Sequence, residues 1–178
     1  KESEEYFCYG ADDGNLDYYI LGGETMPEVI KNYTYLTGRT PLPQLWTLGY
    51  HQSRWGYTSA KDIMEIAEKY RKLQIPCDVI HLDIDYMDNF KVFTWDEEYY
   101  DKKGVLCDKM EQLGFKPVTI IDPGTKKEDG YFMYEEGVEK GYFAKDTEGN
   151  IYVNEVWPGE SVFPDFGRKE ERDWWADH

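Results

Sequence analysis

From Gln44 onward the chain alternates compact apolar runs with helix-patterned runs, and that rhythm limits the fold more than any other feature. Residues 45–51 (LWTLGYH) read as a first strand. A helix follows from Ser59, where Asp62 three residues on supplies a capping-box variant and Ile63, Ile66, Ala67, Tyr70 and Leu73 line one face. Pro76 marks its end. Residues 77–88 (CDVIHLDIDYMD) read as a second strand, and Leu106, Met110 and Leu113 mark a second helix stopped by Gly114. Residues 115–122 (FKPVTIID) read as a third strand with Pro117 at its start. Strand, helix, strand, helix, strand with short connections builds a parallel sheet with right-handed crossovers, either open or closed into a barrel. No glycine-rich phosphate loop follows any of the three strands, so a nucleotide-binding open sheet loses its main sequence support. The expected fold class is therefore α/β, a partial (β/α)8 TIM barrel with about three of its eight strand-helix units in residues 44–178.

The flanking segments are read more coarsely. Residues 6–23 look like two strands around a turn at Asp12-Asp13-Gly14-Asn15; Gly14 comes too early for a calcium loop, so the plain turn is expected. Residues 26–38 read as a short helix, with Pro27 near its start and Gly38 as its stop, before a Pro41-Leu42-Pro43 linker. Past Asp122 a helix is expected over 131–141, weakened by Gly137. A hairpin follows around 143–153 with its turn at 146–150, and the closing RKEERDWWADH reads as a helix.

Composition excludes several function classes. With 20 Lys and Arg against 36 Asp and Glu, the formal charge of −16 rules out a binder driven by neutralising nucleic-acid phosphates. Aliphatic residues are few, but 16 Tyr, 8 Phe and 6 Trp supply the volume to fill a core. Cys8, Cys77 and Cys107 form neither an even set nor a C-x-x-C pair, so no disulfide framework or zinc knuckle is indicated and a reducing, cytoplasmic setting is expected. No run approaches the length of a membrane span, and the acidic KESEEYF is unlike a signal peptide. His51, His81 and His178 lack metal-ligand spacing, so neither metal nor cofactor is expected.

Chemistry gathers at the predicted strand ends, where barrel sites form: His51 and the Arg54-Trp55 loop, then Asp83, Asp85 and Asp88, then Asp122. Along strand two, alternation puts Val79, His81, Asp83, Asp85 and Met87 on one, largely polar, face and Ile80, Leu82, Ile84 and Tyr86 on an apolar one. A carboxylate at the barrel mouth can accept hydrogen bonds from adjacent sugar hydroxyls; a strand-end acid can equally cap the next loop or pair with Lys or Arg. Asp83 and Asp85 approach from one side and so cannot flank a scissile bond as acid and nucleophile. Trp55, and Trp157 before Pro158-Gly159, can wall a sugar pocket or simply be buried.

Five motifs taken together, LGYHQSRWGYTS (48–59), VIHLDIDYMD (79–88), FTWD (93–96), TIIDPG (119–124) and VWPGESVFPDF (156–166), resemble glycoside hydrolase family 31, the α-glucosidase family, in order and spacing. The resemblance runs from about Leu16 to the end. It implies a β-sandwich before a catalytic β/α barrel, and retaining, exo-acting α-glycosidases that use an aspartate nucleophile and an aspartate acid/base. On that basis residues 1–25 are the end of the sandwich, 26–43 a linker helix and 44–178 the first part of the barrel. Trp55, Asp83, Ile84 and Trp157 match positions lining the subsite of the non-reducing sugar. The family's nucleophile lies on the fourth strand and its acid/base later, so both are expected beyond His178, leaving no catalytic residue within this chain and an inactive excerpt.

One departure stands out: many relatives read alanine and then a hydrophobic residue or His after Asp-Pro, where this chain has Gly124-Thr125-Lys126. The expected function is hydrolysis of terminal α-linked glucose from small oligosaccharides, with the rest of the polypeptide, and further copies of the chain, as partners. A non-catalytic sugar-binding subunit on a truncated barrel, an α-xylosidase and an acidic interaction domain stay open at this level.

Overall fold

The computed structural model describes residues 5, 6 and 8–178, which fall into two compact units, 1–42 and 43–178. In the first unit the only regular element among the described residues is helix α1 (Met26–Thr37). Glu28 reaches back so that its carboxylate accepts the backbone N–H groups of Glu24 and Thr25, and Gly38 ends the helix at φ 93°. The Asp13 side chain accepts the Gly14 N–H at 2.7 Å, as a turn there requires. The two strands expected over 6–23 do not form among the described residues, whose side chains stay exposed apart from a half-buried Leu21. A lone two-stranded ribbon is marginal without a sheet or helix to cover it.

The second unit is organised on a three-stranded parallel sheet, β1 (His51–Gln52), β2 (Val79–Leu82) and β3 (Lys116–Thr119), in the order β1-β2-β3. Val79 pairs with both His51 and Lys116 in register. Helices α2 (Ala60–Lys72) and α3 (Lys103–Gln112) are the crossovers. Ser59 caps α2 by accepting the Asp62 N–H, and Asp62 accepts the Ser59 hydroxyl in return. Ile63 and Ala67 of α2, Leu106 and Met110 of α3, and Ile80 and Leu82 of β2 form the buried core with Phe115.

The strands are shorter than their apolar runs suggest. Residues 45–48 wind into a 3-10 turn, leaving only His51 and Gln52 to pair. The second strand stops at Leu82, because Asp83 caps a second 3-10 turn, Ile84–Tyr86; the two-residue alternation therefore ends before Asp83 and Asp85. Pro117 is the second residue of β3, next to its start.

A second, antiparallel sheet follows, with β4 (Thr125–Lys126), β5 (Val153–Val156) and β6 (Gly159–Val162) in the order β4-β6-β5. The hairpin near 143–153 exists as a Lys145–Ile151 bridge around a turn whose Asp146 carboxylate accepts the N–H groups of Glu148 and Asn150. A further hairpin, β5 to β6, pairs Val156 with Gly159 across the two-residue loop Trp157-Pro158, and Gly159 enters β6 at φ 95°. Helix α4 (Phe132–Lys140) carries Gly137 because a Cβ there would sit 2.2 Å from the Phe143 ring, and α5 (Lys169–Asp177) buries Trp174. Among the described residues no helix is long and apolar enough to cross a membrane.

Candidate active site

The site forms where β2 gives way to its following loop. Leu82 is buried in the sheet, and one residue later Asp83 turns the chain by accepting the Ile84 N–H on its own Oδ1 at 2.8 Å. The carboxylate is thus both a cap and half-exposed at the C-terminal end of the sheet. Ile84 is buried and lines a cavity of about 270 Å³ together with Met87, Phe90 and Val92 from the same loop. Asp122, Pro123 and Gly124 form another wall, and Val156, Trp157, Pro158 and Phe163 of the second sheet close it.

Trp55 and Trp157 meet, their rings 6.1 Å apart and inclined by 52°. At 64% and 63% exposed, neither indole belongs to the core of this chain. Of the four residues singled out from sequence, Ile84 and Trp157 line one cavity and Trp157 meets Trp55 beside it, whereas Asp83 precedes Ile84 in the chain and is not among the lining residues.

Asp85 is not where strand alternation puts it. It lies in the 3-10 turn, not on a strand face, and its Oδ2 is buried without a hydrogen-bond partner. Burial first, and then the neighbouring Asp83 charge, push its carboxyl above the ordinary range, while a hydrogen bond from Trp55 opposes them. The turn is anchored from below: the Tyr86 hydroxyl donates to the Ile120 carbonyl at 2.8 Å, and the Asp96 N–H donates to the Tyr86 carbonyl at 2.8 Å.

Met87, Phe90, Val92 and Val156 are lining residues that sequence reasoning passed over. The available signal was their place immediately after the strand-end aspartates and before the Trp-Pro-Gly turn. His51 and His81 come together instead, Nδ1 to Nε2 at 3.1 Å across β1 and β2, and burial lowers the His81 pKa. Among the described residues no three His, Cys, Asp or Glu side chains gather as a metal would need.

The family model for the Glycosyl hydrolases family 31 TIM-barrel domain matches residues 40–178. The chain belongs to glycoside hydrolase family 31. It is 46% identical to Alpha-glucosidase 2 of Bacillus thermoamyloliquefaciens over 98% of its own length and 22% of that protein's. It is 36% identical to human Neutral alpha-glucosidase AB, over 93% of its length and 18% of the relative's. Among solved structures, a Glc1Man2-bound glucosidase II alpha subunit superimposes with a TM-score of 0.81 at 39% identity, covering 86% of this chain and 17% of that one. A glucose-complexed GH31 dextranase of Flavobacterium johnsoniae superimposes with a TM-score of 0.80 at 32% identity, over 87% and 19%. The chain thus spans about a fifth of the length of the relatives it matches.

Proposed function

We propose that the chain is a segment of a retaining, exo-acting α-glucosidase that releases terminal non-reducing α-linked glucose from oligosaccharides. Residues 44–178 then supply about three of the barrel's eight strand-helix units, and residues 1–25 the last part of a preceding β-sandwich. The observation that carries this reading is Asp83 at the end of β2, half-exposed beside the Ile84 cavity that Trp157 helps close. A carboxylate accepts two adjacent sugar hydroxyls, and the flanking indoles offer C–H faces a wall. Asp83 binds and orients, and the nucleophile is left to a later strand, as the family resemblance implies. Double displacement through a glycosyl-enzyme is completed by a nucleophile and an acid/base from later strands.

The full-length protein should release glucose from maltose or isomaltose with retention and leave an α-xyloside largely untouched. Asp83→Ala should lower kcat/KM about a thousandfold, from two charge-assisted hydrogen bonds worth roughly 2 kcal/mol each, with little change in melting temperature. Asp12→Ala should change neither. Equal activity of the Asp83 variant and the parent would overturn the assignment.

A further inference from the structure

The loop that presents Phe90 and Val92 to the cavity holds three of the five described non-glycine residues with positive φ: Asn89 at 49°, Phe90 at 60° and Phe93 at 61°. Non-glycine residues rarely adopt that region, and such strain persists only where the surroundings over-determine it. Lys91 lies in the middle of the strained run with its side chain 14% exposed. Its Nζ stands 2.9 Å from Asp88 Oδ2 on the same loop and 3.2 Å from Glu128 Oε1, beyond β4. The other Glu128 oxygen is 2.8 Å from the Nζ of Lys126, the last residue of β4.

Further bonds fix the same stretch. The buried Tyr131 donates its hydroxyl to the Val92 carbonyl at 2.7 Å, and the Thr94 hydroxyl accepts the Asp88 N–H at 3.0 Å while donating to the Lys91 carbonyl. The facing wall, Pro123 and Gly124, leads directly into β4. The Lys91 ammonium therefore links one wall of the cavity to the strand that carries the other. Asp88 in turn holds the Lys91 pKa above its usual value.

We propose that Lys91 is a positioning residue for the sugar pocket: by bridging Asp88 and Glu128 it holds Phe90 and Val92 at a fixed distance from Pro123 and Gly124. A neutral side chain at 91 breaks both contacts, and the strained loop loses the bridge that keeps it in place. The inference rests on the cavity being the sugar site, so the test separates the two. In the full-length protein, Lys91→Met should raise KM for maltose or isomaltose about tenfold while kcat stays within about twofold, the signature of lost binding geometry rather than lost chemistry. Amide hydrogen exchange of residues 88–94 should quicken without loss of the global melting transition, and Lys91→Arg should restore both. Glu128→Gln, which cuts the same bridge from outside the loop, should act in the same direction and more weakly, and it keeps the test alive if Lys91→Met does not fold. Unchanged exchange over 88–94 would overturn the proposal even if the protein proved inactive on glucosides. So would a fall in kcat at constant KM, or an Arg variant as impaired as Met. Absence of hydrolysis by the parent protein would count instead against the glucosidase reading.

Discussion

At the N-terminal end of the parallel sheet, Arg71 donates from Nε to the Leu113 carbonyl at 2.7 Å and from Nη2 to those of Cys77 and Gly114 at 3.0 and 3.2 Å, with its guanidinium 3.6 Å over the Phe115 ring. At the C-terminal end the buried Oδ2 of Asp85 has no partner, and Asn89, Phe90 and Phe93 hold left-handed backbone. One α2 residue thus satisfies three carbonyls at the foot of β2 and β3, where Gln74 is a single left-handed residue, whereas the top of the sheet carries unpaired polarity and a cluster of three. The division matches what a β/α barrel asks of its two faces: stability from the bottom and chemistry at the top. Misfit at the top is expected where a substrate is to provide the missing partners.

The largest test of the contrast is at the bottom. Arg71→Met keeps the aliphatic stem but removes three charged donors and the contact with Phe115, and leaves three carbonyls to find water. We expect a loss of about 3 kcal/mol, discounted for the partial exposure of the site. In a full-length barrel that corresponds to a fall of about 8 °C in melting temperature. KM should not move. A change in KM comparable to that of Lys91→Met would mean that the two ends are coupled and would break the comparison.

The two ends also differ in how legible they were. The helices, their caps and the core face of α2 follow from periodicity, as do Ile80 and Leu82 of β2, because burial and the 3.6-residue repeat act locally. Strand ends do not follow. An apolar run such as 45–48 can close a 3-10 turn as readily as extend a sheet, and the polar alternation of His81, Asp83 and Asp85 conceals the turn that Asp83 itself initiates. Ile84 and Trp157, which line the cavity, were reachable through motif resemblance. Lys91 was not, since its role comes from Glu128, 37 residues away, and nothing in the local pattern links them. Gly137 looked like a weakness in a helix and is a requirement of packing against Phe143.

A smaller effect is expected at Gly124, the position where the motif departs from many relatives. A Cβ there would stand 2.7 Å from Val156 Cγ2, and a strand valine has little rotational freedom to yield. The β5–β6 hairpin, which carries Trp157, therefore sits against the Asp-Pro-Gly wall only because that residue is glycine. Gly124→Ala should cost about 1 kcal/mol in stability by overpacking and raise KM several-fold as Trp157 is displaced. Adding Val156→Ala should recover most of the KM change. Failure of the second substitution to rescue the first would show that the hairpin does not define the pocket, and would narrow the functional end of the sheet to the loop after β2.

The smallest effect is the most specific to the unpaired polarity at the top. Because burial and Asp83 raise the Asp85 pKa, the native state holds that proton more tightly than the unfolded chain does. Stability should then fall as pH rises from the ordinary aspartate value of 3.8 through the raised one, and the full penalty should be present above it. Asp85→Asn removes the charge and keeps an oxygen for the Trp55 indole. The full-length variant should melt slightly higher than the parent at pH 7, and the difference should vanish as the pH approaches 3.8. A gain that persists at acid pH would assign the effect to packing rather than charge. A loss at pH 7 would mean that the rest of the barrel supplies Asp85 with a donor, so that the C-terminal end is as well satisfied as the one Arg71 closes.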